Sequence, residues 1–241
     1  MIKEAIDRIL ELAKPNEIVC EGRLFADKVM HEIPRLKYAA PLHMNTLTAI
    51  TDYIFSDTDK CSLSPGRFII HVEDYNKVVL YQELDQDKCR ERLLVSEIDN
   101  CKFPFGRWMD METFMINTQT SFDMNGNLSE LLALIGSVVS DAGITQSDDG
   151  ISQNVTVKTG ISLVGKKKIP NPFQLKPFRT FTEVDQPLSS FVFRLKKASD
   201  DTVNAALFAA DGEAWRRSAI LNISEWLHEN FKDRDDVIIL A

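Results

Sequence analysis

The sequence predicts an α+β fold in which amphipathic helices pack over an antiparallel, meander-type β-sheet. Strand-like runs cluster as hairpins and do not alternate regularly with helices, which argues against a doubly wound α/β arrangement. The chain has 241 residues, 44% of them apolar, and is therefore long enough to bury a sizeable core. We expect a single domain over residues 1–241, with 1–143 and 144–241 as candidate sub-lobes.

The first elements are predicted from apolar spacing and from capping residues. Apolar residues recur on one helical face over residues 2–13, which predicts a core-covering helix that ends at Lys14–Pro15; they are Ile2, Ile6, Ile9, Leu10 and Ala13. A short strand is expected around residues 18–25. Asn45 or Thr46 can cap a second helix that ends near Ser56.

A β-meander and two helices are predicted for the middle of the chain. Two β-rich runs, 67–73 and 78–84, flank a turn-forming Asp-Tyr-Asn-Lys sequence, and residues 91–98 supply a third strand. A helix over residues 111–122 follows. The next helix is predicted to be capped by Asn127, because Glu130 completes a capping box. It is predicted to end at Gly143, since glycine is common just after the last turn of a helix.

The last hundred residues alternate between strand-like runs and turn signals. The expected elements are a strand over 151–160, a tight GKKKIPNP loop over 165–172, strands over 173–181, 189–195 and 205–209, and a helix after Asp211-Gly212. The apolar run over 237–240 is expected either to add a terminal strand or to dock on a neighbouring subunit. Pro177 restricts its strand to a sheet edge or a bulge, because proline has no N–H to donate.

Basic residues concentrate in one segment of an otherwise acidic chain. Residues 151–197 hold nine basic and two acidic residues, a net charge of +7. The chain total is −8, so the rest of the chain must carry −15. This segregation predicts a surface for an anionic partner, and the candidate anion-binding residues are Lys166, Lys167, Lys168, Lys176, Arg179 and Arg194.

Phenylalanines alternate with these basic residues, and two interpretations stay open. They are Phe173, Phe178, Phe181, Phe191 and Phe193. Exposed rings beside Lys or Arg are typical of proteins that bind single-stranded nucleic acid by stacking. In a strand with one buried face, the same rings would instead lie in the core and the charges would face solvent.

Signals for metal or nucleophile chemistry are weak. Asp148 and Asp149 would need distant carboxylates, such as Glu183, Asp185 or Asp211, to complete a hard-cation site, and Ser-Asp-Asp-Gly is also typical of a solvated turn. The four cysteines lack the spacing of a zinc site. We therefore expect no metal and no cofactor.

Three segments resemble the YfdQ-like family of uncharacterised phage and prophage proteins. They are Leu47-Thr-Ala-Ile-Thr-Asp-Tyr-Ile54, Trp108-Met-Asp-Met-Glu-Thr-Phe114 before a leucine-rich helix, and Ile169-Pro-Asn-Pro-Phe173 leading into Pro177-Phe-Arg-Thr-Phe181. The resemblance implies a virus-derived cytoplasmic accessory protein, and it supplies no functional residues.

The leading hypothesis is a phage- or prophage-derived accessory protein that acts by binding a protein partner or by self-assembly as a homo-oligomer, without catalysis. One alternative is a protein that binds single-stranded nucleic acid or nucleotides through residues 158–197. The other is a metal-dependent enzyme acting on nucleotides or nucleic acid. The chain lacks a long apolar run, so we expect a cytoplasmic location in the bacterial host and no membrane contact.

Overall fold

The computed structural model describes residues 2–13, 17–20, 23–26, 39–56, 59, 66–85, 88–99, 101–124, 126–139, 144–148, 153–158, 164–168, 171–197 and 202–241. The helices are α1 (Ile2–Ala13), α2 (Thr48–Phe55), α3 (Met111–Ser121), α4 (Gly126–Val139) and α5 (Trp215–Asn230). The strands are β1 (Glu17–Cys20), β2 (Arg23–Ala26), β3 (Leu42–Met44), β4 (Phe68–Asp74), β5 (Lys77–Gln82), β6 (Arg92–Glu97), β7 (Met109–Asp110), β8 (Ile144–Asp148), β9 (Gln153–Lys158), β10 (Val164–Lys168), β11 (Phe173–Leu175), β12 (Ser189–Lys197), β13 (Val203–Ala209) and β14 (Val237–Leu240). These elements confirm the α+β class.

The chain forms two compact units, Met1–Ala39 and Ala40–Ala241. The first unit contains the predicted helix α1, but the single strand expected after it is an antiparallel hairpin of β1 and β2. Ile6 and Ile9, which were expected to cover a core, are 51% and 65% exposed. The sub-lobe division near residue 143 stays a prediction.

The five-stranded sheet of the second unit has the order β14-β4-β5-β6-β3. Its three central strands form the predicted antiparallel meander, in which Ile70 pairs with Leu80 and Leu80 with Leu94. Both edge strands run parallel to their neighbours, so the sheet is mixed and not purely antiparallel. β3 is followed by α2 and β14 is preceded by α5, so each edge strand reaches the sheet across a helix and not through a tight turn.

The four-stranded sheet has the order β11-β12-β13-β7, and all its pairs are antiparallel. β11 lies at the sheet edge, as Pro177 predicts, but it ends at Leu175, so the strand expected over 173–181 is wrong beyond that residue. A third sheet pairs β10, β9 and β8. The predicted loop over residues 165–172 is therefore wrong in its first half, because Val164–Lys168 pairs with residues 154–158.

Side-chain oxygens accept from orphan N–H groups at the starts of two helices, α3 and α2. Asp110 Oδ1 accepts from the Thr113 N–H at 2.9 Å and caps α3. Thr46 Oγ1 accepts from the Ala49 N–H at 3.3 Å at the start of α2. Asn127 lies inside α4, which begins at Gly126, so its predicted capping role is wrong; its side-chain amide donates to the Gln174 carbonyl at 2.8 Å.

Two hydrophobic cores lie within the second unit. The first core joins α3 and α4 to one face of the four-stranded sheet, and its buried members are Phe103, Met111, Phe114, Phe122, Leu128, Leu131, Leu134, Ile135, Phe173, Leu175, Phe191, Phe193, Leu195, Ala205 and Leu207. The second core joins α2 and α5 to one face of the five-stranded sheet, and its buried members are Leu47, Ile50, Ile54, Ile70, Val72, Val78, Leu80, Leu93, Leu94, Phe181, Val184, Ile223, Leu227 and Phe231. Each core combines residues from both sides of position 143.

Candidate functional site

Four of the five phenylalanines in the basic segment lie in the interior. Phe173 is 3% exposed, and Phe181, Phe191 and Phe193 are fully buried. Burial alternates along β12, so every second residue faces the first core. Phe178 is the exception at 43% exposed. The structure thus resolves the two interpretations in favour of a core role for these four rings, which leaves them no face for stacking on bases.

Arg179 is also an interior residue, although it was a candidate for anion binding. Its side chain is 6% exposed, and its guanidinium carbon lies 4.4 Å from the ring centroid of Phe105, 4.5 Å from that of Trp215 and 5.2 Å from that of Phe191. Burial lowers the pKa of this guanidinium. Because Phe191 belongs to the first core and Trp215 is the first residue of α5, Arg179 stacks between the first core and the start of α5.

The loop around Arg179 is fixed by the buried amide of Gln186. Its Oε1 accepts from the N–H groups of Arg179 at 2.9 Å and Thr180 at 3.1 Å. Its Nε2 donates to the carbonyl of Phe181 at 3.0 Å. Thr180 Oγ1 also donates to the Tyr75 carbonyl at 2.6 Å, which ties the loop to the β4–β5 turn. The backbone from 179 to 186 is therefore rigidly held at the junction of the two cores.

The outer face of the four-stranded sheet carries basic and aromatic side chains together. We call Trp108, Arg194, Lys196 and Phe208 the basic-aromatic face. Trp108 is 41% exposed, and its ring centroid lies 6.0 Å from that of Phe208 and 6.0 Å from Lys196 Nζ. Arg194 is half-buried and pairs across strands with Ala206. Among the candidate basic residues whose side chains the structure describes, Arg194 alone lies on this face.

The register explains why Trp108 lies on this face, a role that the sequence reasoning missed. Met109 pairs with Ala205, so the preceding residue, Trp108, comes level with Ala206. Ala206 is fully buried although it lies on the outer side of β13. Successive side chains of a strand point to opposite faces, so Phe208 lies on the face opposite to the core-facing Leu207 and beside Trp108.

The remaining basic candidates lie elsewhere. Lys166, Lys167 and Lys168 belong to β10, which pairs with β9 alone among the described strands and so forms a sheet edge. The side chains of these lysines are outside the described part of the structure. Lys176 is half-buried and lines an open groove that includes acidic residues. The six candidates therefore do not form one continuous strip within the described residues.

This groove, which we call the acidic groove, lies between residues 183–188 and one face of α5. Its volume is about 490 Å³, and its walls include Lys176, Glu183, Asp185, Leu188, Glu225 and Trp226. Glu183 already has hydrogen-bond partners: its Oε1 accepts from the N–H groups of Leu47 at 2.8 Å and Thr48 at 3.3 Å. A carboxylate at that position satisfies orphan donors at the start of α2.

The carboxylates proposed for a metal site do not assemble one among the residues that the structure describes. No group of three or more His, Cys, Asp or Glu side chains there has metal-binding geometry. Glu183 and Asp185 line the acidic groove, whereas one carboxylate oxygen of Asp211 is buried without a hydrogen-bond partner. Asp149 and the side chain of Asp148 lie outside the described residues, so their predicted turn and metal roles stay predictions.

Comparisons with protein-family models, with curated proteins and with solved structures give no match. None of the described helices is long and apolar enough to cross a membrane. Among the described residues, the candidate functional surfaces are the basic-aromatic face, the edge strand β10 and the acidic groove.

Proposed function

We propose that this chain is a phage- or prophage-derived accessory protein of the bacterial cytoplasm that works by binding and self-assembly, without catalysis of its own. The three segments that resemble the YfdQ-like family support the phage origin. The observation that carries the binding role is the separation of opposite charges onto different surfaces of one chain: basic side chains on the sheet face and in β10, and carboxylates in the acidic groove.

Oppositely charged surfaces on one chain favour contacts between copies of that chain. A positive patch and a negative patch attract each other and set the register of an encounter. The two patches differ, so the contact is heterologous and repeats head to tail, which gives rings or open chains in place of a two-fold dimer. Exposed charges interact within a Debye length, about 30 Å at 0.01 M salt and about 8 Å at 0.15 M. Assembly should therefore weaken as salt rises.

Sedimentation velocity over a concentration series tests this proposal. At about 0.01 M salt we expect species heavier than the 27.4 kDa chain, and their fraction should fall at about 0.15 M salt because the charges are then screened. A single 27.4 kDa species at both salt concentrations and at every protein concentration would rule out self-assembly.

Binding of single-stranded nucleic acid is the second candidate function, and the exposure of Trp108 favours it. An indole that is 41% exposed on an open sheet, with Lys196 beside it and Arg194 on the same face, can stack on a base while the cations meet phosphates. Stacking of this kind contributes about 1–3 kcal/mol per base. The chain's net charge of −8 opposes a polyanion, which ranks this candidate second.

A labelled oligothymidylate tests the second candidate through Trp108→Ala and Phe178→Ala. Phe178 is the matched control, since it is 43% exposed but outside the basic-aromatic face. We expect Trp108→Ala to weaken binding about tenfold or more, with Phe178→Ala near wild type. The binding constant should also fall steeply as salt rises, because about 0.7 counterions are released for each contacted phosphate. Equal losses in both variants, or no binding at low salt, would exclude this face as a stacking platform.

A further inference from the structure

The acidic groove is held open by hydrogen bonds in its walls. Asn222 Nδ2, on α5, donates to the Asp185 carbonyl at 2.7 Å and fixes residues 183–188 against the helix. Gln186, 7% exposed, bonds the backbone of the same loop from within. The loop therefore does not need to reorganise to receive a ligand, and preorganisation of this kind lowers the entropy lost on binding.

Two carboxylates that line this groove have no partner among the described residues. Asp185 is on the loop wall and Glu225 is on the helix wall, and neither side chain has a hydrogen bond or ion pair with a described residue. Apolar surface lies beside them, because Leu188 is 53% exposed and Trp226 is half-buried. Carboxylates with adjacent apolar surface suit lysine, whose stem packs on apolar atoms while its ammonium meets an acid.

We propose that the acidic groove receives the edge strand β10, Val164-Gly-Lys-Lys-Lys168, of a second copy of this chain. This inference rests on the proposed self-assembly and names its two surfaces. The strand contains three lysines, and the groove carries Asp185 and Glu225, which have no partner among the described residues. It lies at the end of its sheet order, with β9 as its one described neighbour, so its outer backbone edge is directed away from its own sheet.

The groove is comparable in volume to a small-molecule site. Its volume of about 490 Å³ falls within the range of about 300–1,000 Å³ that is usual for ligand sites. Lysines on an edge strand ordinarily prevent two edges from pairing. A receptor with carboxylates accepts the same lysines, so β10 is excluded from edge-to-edge pairing but admitted to the groove. Such a contact joins different surfaces and propagates head to tail.

A charge-swap experiment tests this contact. One variant reverses the groove (Asp185→Lys with Glu225→Lys) and another reverses the strand (Lys166→Glu, Lys167→Glu and Lys168→Glu). We expect each variant alone to sediment as the 27.4 kDa chain at low salt, and a mixture of the two to recover association. Glu130→Lys is the matched control, an exposed acid on α4 outside the groove, and it should assemble like the wild type. Circular dichroism checks that each variant is folded.

A synthetic peptide of residues 162–170 gives a second readout. The fluorescence anisotropy of the labelled peptide should rise when it binds the triple strand variant, whose groove is intact. The affinity of the peptide for the groove variant should be at least tenfold weaker. If the wild type assembles but the groove variant still assembles equally well, the groove inference is wrong and self-assembly stands. If the wild type is a monomer throughout, both are wrong. Equal binding of a scrambled peptide with the same charge would also overturn the inference.

Discussion

The two cores of the second unit are built from different side chains. Six of the fifteen buried members of the first core are phenylalanines, whereas two of the fourteen in the second core are, and the rest of the second core is aliphatic. The aromatic rings of the first core meet mainly edge to face, as Phe103 does with Phe114 at 5.9 Å and with Phe122 at 5.0 Å. The second core instead contains aliphatic side chains from the meander strands β4, β5 and β6.

This difference teaches that a basic segment rich in phenylalanine can be structural. Phe191 and Phe193 stabilise the first core by burial and by ring contacts, while Arg194 and Lys196 alternate with them on the opposite face of β12. Edge-to-face pairs add about 0.5–1.5 kcal/mol beyond area burial. The charged residues are thus left for the surface, where the proposed contacts between copies occur.

Truncation of a central ring should produce the largest effect. Phe193→Ala removes a fully buried ring that lies 5.7 Å from Phe114 and 6.2 Å from Phe173, and we expect the free energy of unfolding to fall by about 4 kcal/mol. Leu80→Ala, its fully buried counterpart in the second core, should lower it by about 3 kcal/mol. Urea denaturation measures both. A smaller loss for Phe193→Ala would mean that the ring contacts add nothing to burial.

Loss of the Gln186 amide should come next, because it joins the two cores through one loop. Gln186→Leu leaves the buried N–H groups of Arg179 and Thr180 without their acceptor, and we expect a loss of roughly 3 kcal/mol in urea. Gln174→Leu is the control. Its side chain makes one part-buried bond, from Nε2 to Ser190 Oγ at 2.7 Å, so about 1 kcal/mol is expected. Similar losses of unfolding free energy in the two variants would show that the Gln186 loop does not join the two cores.

Arg179→Lys should lower the free energy of unfolding by about 2 kcal/mol. A lysine keeps the charge but loses the planar group that stacks on Phe105 and Trp215. Arg217→Lys, at an exposed position of α5, should remain within about 0.5 kcal/mol of the wild type. Thermal denaturation followed by circular dichroism compares the two variants. An unchanged midpoint for Arg179→Lys would indicate that charge alone matters at this position.

The smallest effect is expected at the cap of α3. Side-chain and backbone hydrogen bonds from Thr113 lower the pKa of Asp110 below its ordinary value of 3.8. The charged form is thus favoured in the folded state, and its contribution is present above that value and lost as the pH falls through the lower, folded pKa. Asp110→Ala should lose about 1 kcal/mol near neutral pH.

Asp110→Asn keeps an acceptor for the cap and separates the two contributions. We expect it to lie close to the wild type in urea midpoint near neutral pH, because asparagine caps about as well as aspartate. It should also lack the part of the acid-induced loss that comes from this carboxylate. A wild type and an Asn variant with the same acid dependence would exclude Asp110 as a contributor.

The meander and the helices of the second unit were predictable because their signals are local. Alternating β-rich runs predicted β4, β5 and β6. Helical spacing predicted the apolar face of α5, and all of its members except the half-buried Trp226 are buried; they are Trp215, Ala219, Ile223, Trp226 and Leu227. The terminal strand β14 was predicted, but its parallel pairing was not, and β3 was not predicted at all. Both strands are short, and each pairs with a strand distant in sequence.

The candidate surfaces were predicted only in part. Net charge indicated where basic residues concentrate. Tertiary packing buried Arg179, in a loop, against Phe105 and Trp215, whereas strand register left Trp108 exposed. The acidic groove combines residues 176–188 with one face of α5, so its carboxylates converge only after folding. Cross-strand pairing and long-range convergence were the missing information in both cases.

Native mass spectrometry of the purified chain in low-salt volatile buffer tests the central claim most directly. Self-assembly predicts masses at integer multiples of 27.4 kDa with no additional bound mass, and these should give way to the single chain as salt increases. A single chain carrying the mass of a nucleotide or an oligonucleotide, or a bare 27.4 kDa species under every condition, would contradict it.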